Sequence, residues 1–346
     1  MKYILALLVL LLSCTPNKKQ TNLHLKIKLE QAVLDAIVIK KDDTYFLKNS
    51  DEIIHLNAKE KGYKIGSHYS RLIFDFNKQK GTWIRDNKEN YQVPFTIEKT
   101  DKTDLYKSYE KENCAQNFSG KWKIQLSSTK IGLGNFKQIG CRVKGSILTT
   151  TGDYRYLDGY LNKGKIKLTG FDGVFAFVFN LNLKKDTFEG TMYAGNSYNT
   201  KIKAFRDDSF KLADADEMTK IEAHEKVTIK LKDLNDKLID ISSDEYQDKP
   251  KIIQLFGSWC PNCIDETKFF NRWRQENKEL NNKVKFIALG FENFEDKNDA
   301  IKALKKVKTK LAMDYPIILV DYNKSVSANE ILPIDKVRAY PTTLLL

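Results

Sequence analysis

The tetrad Cys260-Pro261-Asn262-Cys263 constrains this chain more than any other segment, because of what stands on either side of it. Ile252-Ile253-Gln254-Leu255-Phe256 is a short apolar run that reads as a buried strand, Gly257 and Ser258 supply a tight turn, and Trp259 precedes the first cysteine. The cysteines then open a helix. There the unpaired backbone N–H groups and the positive end of the helix dipole favour a thiolate. Cys260 is thereby expected to be the nucleophile, and Cys263 is close enough to resolve whatever the first sulfur captures. Half a zinc site is the rival reading. Zinc needs about four ligands, yet Cys14, Cys114 and Cys141 lie far upstream without metal spacing, and none of His24, His55, His68 and His224 follows the motif. Neither a metal nor a cofactor is expected.

The helix that follows should place Cys263, Glu266, Phe270 and Trp273 on one face by the i, i+3, i+4 rule. Glu266 then sits one turn beneath the resolving cysteine, where a carboxylate can hold its proton or simply suit the helix dipole. Val284 to Leu289 is a second apolar run. Ala300, Ile301, Leu304, Val307 and Leu311 recur at helical spacing, and Pro316 to Val320 is a third strand. Strand, helix, strand, helix, strand implies βαβ units and a mostly parallel sheet. The chain then reaches Tyr340-Pro341-Thr342-Thr343 before Leu344-Leu345-Leu346.

A W-C-P-x-C motif followed by Y-P-T-T before a strand resembles the thioredoxin superfamily, and most closely the TlpA/ResA-type thiol-disulfide oxidoreductases tethered to bacterial membranes. The resemblance covers roughly residues 222–346. It implies that Pro341 is cis and lies against the cysteine pair, and that Trp259, Pro261 and Tyr340 help to bind substrate. A proline at that place offers no N–H and leaves the preceding backbone free to pair with an extended substrate. Two features depart from the family. Its buried Asp six residues before the first cysteine is replaced by Gln254, which turns attention to Glu266 and Glu292 for acid–base help. Its hairpin and helix after the last strand find no counterpart before Leu346, so the domain is expected to be C-terminally incomplete.

Met1-Lys2-Tyr3 and the apolar stretch Ile4 to Leu12 form a segment too short to span a bilayer, which reads as a signal peptide over 1–13. Leu11-Leu12-Ser13-Cys14 resembles a lipobox, with Cys14 as the acylated residue and 14–22 as a polar tether. The expected location is the bacterial cell envelope, lipid-anchored and facing the periplasm. In that oxidising setting Cys114 and Cys141 are candidates for a structural disulfide; buried free thiols, or partners for Cys260, remain the alternatives.

Residues 23–206 alternate strand-like runs with Gly, Asn and Asp turns and read as an antiparallel all-β domain, a sandwich or a barrel, in one piece or in two parts, 23–112 and 113–206. Phe175, Phe177, Phe179, Leu181 and Leu183 share one face of a strand, while Lys163-Gly164 and Glu189-Gly190 are hairpin signals. Gly120-Lys121-Trp122 resembles the entry strand of lipocalin-like barrels. A polar linker over 207–221 leads to the thioredoxin-like domain, 222–346. The net charge of +13 falls entirely before residue 215, the remainder being balanced. A basic anchor-proximal domain suits an anionic lipid surface, and no nucleic-acid motif appears.

These readings point to a periplasmic, membrane-anchored thiol-disulfide oxidoreductase, acting as a reductant on a disulfide-bearing protein and fed by a membrane electron donor. Two alternatives carry weight. One is a binding lipoprotein whose thioredoxin-like domain is a docking module. The other is a peroxiredoxin-like peroxidase, although that class needs Thr where this chain has Gly257.

Overall fold

The computed structural model describes residues 21–66, 69–86, 88, 90–214, 218–222 and 227–346. The expected signal peptide, Cys14, most of the tether, His68 and His224 lie outside the described residues.

Strands β1 (Asn22–Lys28), β2 (Val33–Lys41), β3 (Thr44–Asn49), β4 (Glu52–Lys59), β5 (Gly62–Ile65), β6 (Ser70–Asp75), β7 (Lys80–Arg85) and β8 (Gln92–Thr100) pair in sequence order. Antiparallel pairing of β1 with β8 closes them into a barrel. The pattern is read directly from the chain: Leu23, Leu25 and Ile27 point into the core while His24 and Lys26 face out. Apolar inside and polar outside is the inverse of a membrane-spanning barrel.

A second barrel follows. Strands β9 (Gly120–Gln125), β10 (Ile131–Ile139), β11 (Arg142–Thr149), β12 (Gly152–Asp153), β13 (Leu157–Asn162), β14 (Lys165–Phe171), β15 (Ala176–Lys184), β16 (Thr187–Ala194) and β17 (Tyr198–Arg206) form one antiparallel sheet. The β10–β11 pairing closes it, and the short β12 hangs from the end of β11. Trp122 is fully buried, its indole N–H donates to the Phe118 carbonyl, and the Arg206 guanidinium lies 4.4 Å from its ring centroid.

Two sequence expectations fail here for physical reasons. Lys163-Gly164 does make a hairpin turn, both residues having positive φ, but Glu189-Gly190 lies inside β16 and the turn is at Lys185-Asp186. Gly190 is glycine because its neighbour strand is so close: a Cβ there would sit 2.1 Å from the Asn180 carbonyl oxygen. Phe177, Phe179, Leu181 and Leu183 fill the second barrel, but Phe175 precedes β15, is 38% exposed and stacks outside on Phe177.

The opposite face of β15 is also buried. Ala176 and Val178, with Phe171, pack into the core of the first barrel. The Trp83 indole N–H donates to the Ser70 hydroxyl oxygen at 2.7 Å and to the Gly173 carbonyl at 3.0 Å, and Asn49 accepts from the Phe171 N–H. The two barrels thus share apolar core and buried hydrogen bonds, as parts of one body do.

The C-terminal domain contains β18 (Lys230–Lys232), β19 (Leu238–Asp240), β20 (Lys251–Phe256), α1 (Pro261–Glu276), α2 (Lys278–Asn281), β21 (Lys285–Phe291), α3 (Lys297–Lys310), β22 (Ile317–Asp321) and β23 (Thr342–Leu345). Its central sheet has the order β22-β21-β20-β23. The first three strands are parallel, as βαβ connections require, and β23 runs antiparallel to β20. Ile253, Leu255, Ile287 and Leu289 pack on one side of the sheet; Phe256 and Ala288 pack on the other, against Cys263 and Ile264 of α1 and Leu304 and Val307 of α3. An all-β barrel region followed by a thioredoxin-like domain is the architecture of the chain.

Candidate active site

β20 delivers the cysteines. Leu255 and Phe256 end in the core, and Gly257 follows where any Cβ would meet the Trp259 indole at 2.3 Å. The Trp259 N–H donates to the Phe291 carbonyl at 3.0 Å, pinning the ring over the end of β21. Cys260 then caps α1 with Pro261 in the first turn, a position where the missing N–H of proline costs nothing. The backbone N–H of Cys263 donates to Cys260 Sγ at 3.2 Å. That contact is the local basis for a stabilised thiolate: the helix start points a donor at the sulfur. Cys260 is 4% exposed and Cys263 fully buried, and the two are paired as a disulfide with Cα atoms 5.3 Å apart.

Opposite them the Tyr340–Pro341 bond is cis, and the Tyr340 carbonyl oxygen lies 3.5 Å from Cys260 Sγ. The Tyr340 ring packs edge-on against Trp259 and tilted against Phe291. A groove of about 690 Å³ runs along this side, with Pro341, Thr342, Thr343 and Glu266 on one wall and Thr150 of the second barrel on another.

Two carboxyls flank the motif, Glu266 partly buried and Glu292 buried. Glu266 accepts hydrogen bonds from Gln254 Nε2 at 2.8 Å and Thr343 Oγ1 at 3.0 Å. Burial raises its pKa, and those two hydrogen bonds partly offset the rise. The Gln254 amide also lies 3.4 Å from the Cys263 carbonyl oxygen, and the Thr267 hydroxyl is 2.8 Å from the same oxygen. Glu266 therefore stands beneath the resolving cysteine, bonded to Gln254 and Thr343 rather than to a sulfur. Glu292, at the end of β21 and 2% exposed, accepts from the Ser258 N–H and hydroxyl, both at 2.7 Å. Burial pushes its pKa up to about 7 against those two hydrogen bonds. Tyr69 of the first barrel, whose hydroxyl bonds to Ser258, is itself pushed up to about 12 by burial and by the nearby Glu292.

Phe270 and Trp273 pack against the same core cluster as Cys263, as the spacing implies, while the fully buried side of α1 is Pro261, Cys263, Ile264 and Thr267 and Glu266 is only partly buried. Thr267 was missed, as were Thr343, Tyr69 and Arg155. A signal for Thr343 existed: it pairs directly with Gln254 across β20 and β23, so the two side chains share a face. Cys114 and Cys141 lie apart from this site, bonded to each other with an S–S distance of 2.08 Å. Among the described residues, no cluster of three His, Cys, Asp or Glu side chains could hold a metal ion.

No protein of curated function matches the sequence. Among solved structures, a thiol-disulfide oxidoreductase from Bacteroides fragilis is 13% identical, with 34% of this chain and 80% of that one covered at a TM-score of 0.29. The thioredoxin domain of a Bacteroides vulgatus thiol-disulfide oxidoreductase is 14% identical over 34% and 76%, with a TM-score of 0.26. A secreted Mycobacterium tuberculosis disulfide oxidoreductase is 17% identical over 30% and 67%, with a TM-score of 0.24. The Redoxin family model matches residues 203–340, from the end of β17 to the residue before Pro341, so the C-terminal domain, with its cysteine pair at a helix start, is a thioredoxin-like domain.

Proposed function

We propose that this chain is a membrane-anchored, periplasm-facing reductant of protein disulfides. The Cys260 thiolate attacks a substrate disulfide, forming a mixed disulfide and releasing one substrate thiolate, which takes a proton. The Cys263 thiolate then attacks Cys260 Sγ, releasing the second substrate thiolate and leaving the Cys260–Cys263 disulfide. Two electrons pass to the substrate, and a membrane dithiol donor restores the pair. The observation that carries this reading is the Cys263 N–H directed at Cys260 Sγ, with the Tyr340 carbonyl on the other side. Anchoring is supported by the sequence alone, through Lys2, the short apolar run and Cys14.

Replacing Cys263 with Ser in the full chain should leave Cys260 covalently bound to an envelope protein, recoverable with a reductant. Recovery of nothing beyond adventitious small thiols would defeat the reading. Fractionation of Cys14→Ser tests the anchor: loss from the membrane pellet is expected, and retention of a processed mutant there removes lipid as the tether. The ligand-binding alternative gains little from the barrels, whose interiors are filled by Trp83, Leu25 and Ile27 in one and by Trp122, Phe118 and Phe179 in the other.

A further inference from the structure

Arg155 stands in the turn between β12 and β13, at a φ of 55° and 8% exposed. Its guanidinium reaches three parts of the chain. Nε lies 3.2 Å from Asp172 Oδ2 in the β14–β15 turn, and Nη2 lies 3.5 Å from Glu52 Oε1 of the first barrel. Nη1 donates to Asp265 Oδ2 at 2.8 Å and to Asn262 Oδ1 at 3.0 Å, both on α1. The base of the side chain is fixed before it reaches the helix: the Arg155 N–H donates to Asp153, and Asp172 is held by the N–H groups of Val174 and Phe175. A planar guanidinium reaches partners in all these directions at once, the Nε contact with Asp172 being an ion pair without hydrogen-bond geometry. Asn262 lies between the two cysteines, so the second barrel sets a full cation on a side chain of the redox motif itself.

We propose that Arg155 is a positioning residue of the redox site: the second barrel uses it to hold Asn262 and the first turn of α1, and its charge stabilises the Cys260 thiolate and so favours the reduced dithiol. This rests on the dithiol reading above. The thiolate is charged and the disulfide is not, so a nearby cation stabilises the reduced form selectively. The other charged groups around Arg155 are Glu52 from the first barrel, Asp172 from the second, and Asp265 and Lys268 on α1. Beside the cysteine pair, the Tyr340 carbonyl meets Cys260 Sγ, Glu292 is held on Ser258, and Glu266 is held on Gln254. Removing Arg155 leaves its carboxylate partners uncompensated beside the motif, which disfavours the thiolate. Removing the Asp265 charge frees the cation and favours it. The two changes must therefore move Cys260 in opposite directions, whereas lost packing alone moves stability downward in both.

The test uses the full chain. The rate of Cys260 alkylation by iodoacetamide is followed against pH. The equilibrium between the protein disulfide plus two glutathione thiols and the dithiol plus glutathione disulfide is measured alongside. Arg155→Met should shift the alkylation midpoint upward and lower the equilibrium constant for reduction about threefold or more, a shift of about 14 mV at 29.6 mV per tenfold for a two-electron couple. Arg155→Lys should fall between parent and Arg155→Met, and Asp265→Asn should shift the midpoint downward. A parent without a reversible dithiol overturns the dithiol reading and this role with it. A parent that titrates, with Arg155→Met and Asp265→Asn both matching it, overturns the role of Arg155 alone. Should Arg155→Met fail to fold, Asp265→Asn decides by itself: no downward shift rejects the proposal.

Discussion

The two disulfides hold their Cα atoms at the same 5.3 Å, yet their surroundings give them different work. Cys114–Cys141 spans 27 residues and staples the segment between the barrels to the β10–β11 turn. The backbone is tied there as well: the Cys141 N–H donates to the Tyr109 carbonyl at 2.7 Å, and the Leu161 N–H donates to the Cys141 carbonyl at 2.8 Å. Cys114 Sγ faces the Leu161 carbonyl oxygen at 3.3 Å, an acceptor that does not stabilise a thiolate. Cys260–Cys263 spans three residues at a helix start, where a backbone donor already points at the first sulfur. One bond chiefly constrains the unfolded chain, and the other sets a backbone donor at its first sulfur, where a thiolate would be stabilised. The same covalent unit is structural or exchangeable according to the backbone that presents it.

The largest effect that separates them is on turnover. Cys260→Ser should reduce disulfide reductase activity on a model substrate such as insulin by on the order of 10³-fold or more, because the nucleophile is gone. The double change Cys114→Ser with Cys141→Ser should leave that activity within about twofold. Its cost appears instead in denaturant unfolding, at about 3.5 kcal/mol for a loop of this span. Equal loss of activity from both pairs would break the comparison. Dithiothreitol titration sharpens it: the helix-start pair should open first, since a stabilised thiolate is the better leaving group.

Next in size is a pH effect confined to the redox domain. Glu292 has a pKa of about 7 in the fold against 4.5 for an ordinary glutamate. The folded state therefore holds a proton that the unfolded chain has released across that window. Its contribution to stability is intact below about pH 4.5 and is lost as pH rises towards 7. About 2–3 kcal/mol should disappear from pH 5 to 8 relative to Glu292→Gln, which cannot titrate. Parallel stability curves for parent and variant would show that Glu292 is ionised in the fold throughout.

Much of the redox site is local in sequence and was legible there. A strand, a glycine turn, two cysteines and a helix lie within residues 252–276, and short-range chemistry determines each. The cis Tyr340–Pro341 bond was legible only through family resemblance. Long-range partners left no local trace: Arg155 meets Asn262 across 107 residues, and a lone arginine in a turn looks like any solvated cation. The barrels were half legible. Alternation shows which residues face inward, but a sandwich and a barrel share that alternation, and closure depends on pairings such as β1 with β8. Gly190 misled because a glycine at a turn and a glycine under a neighbouring strand read alike until the neighbour is placed.

The smallest effect expected concerns Glu266, and it divides the two halves of the exchange reaction. Cys263 is fully buried and must lose its proton before it can attack the mixed disulfide. Glu266, one turn below on α1, is a carboxyl whose pKa burial has raised, and Gln254 links it to the Cys263 backbone. A group of that kind can take the proton, while Cys260 depends on the helix start instead. Glu266→Gln should slow resolution of a preformed mixed disulfide about five- to tenfold at pH 7, close to 1 kcal/mol of activation free energy, and leave capture by Cys260 within about twofold. The deficit should shrink as pH rises and hydroxide takes over the deprotonation. Rapid-quench measurement of the two steps separates them. A uniform slowing of both, or a deficit indifferent to pH, assigns Glu266 to the support of Gln254 and Thr343 and leaves proton transfer to another group.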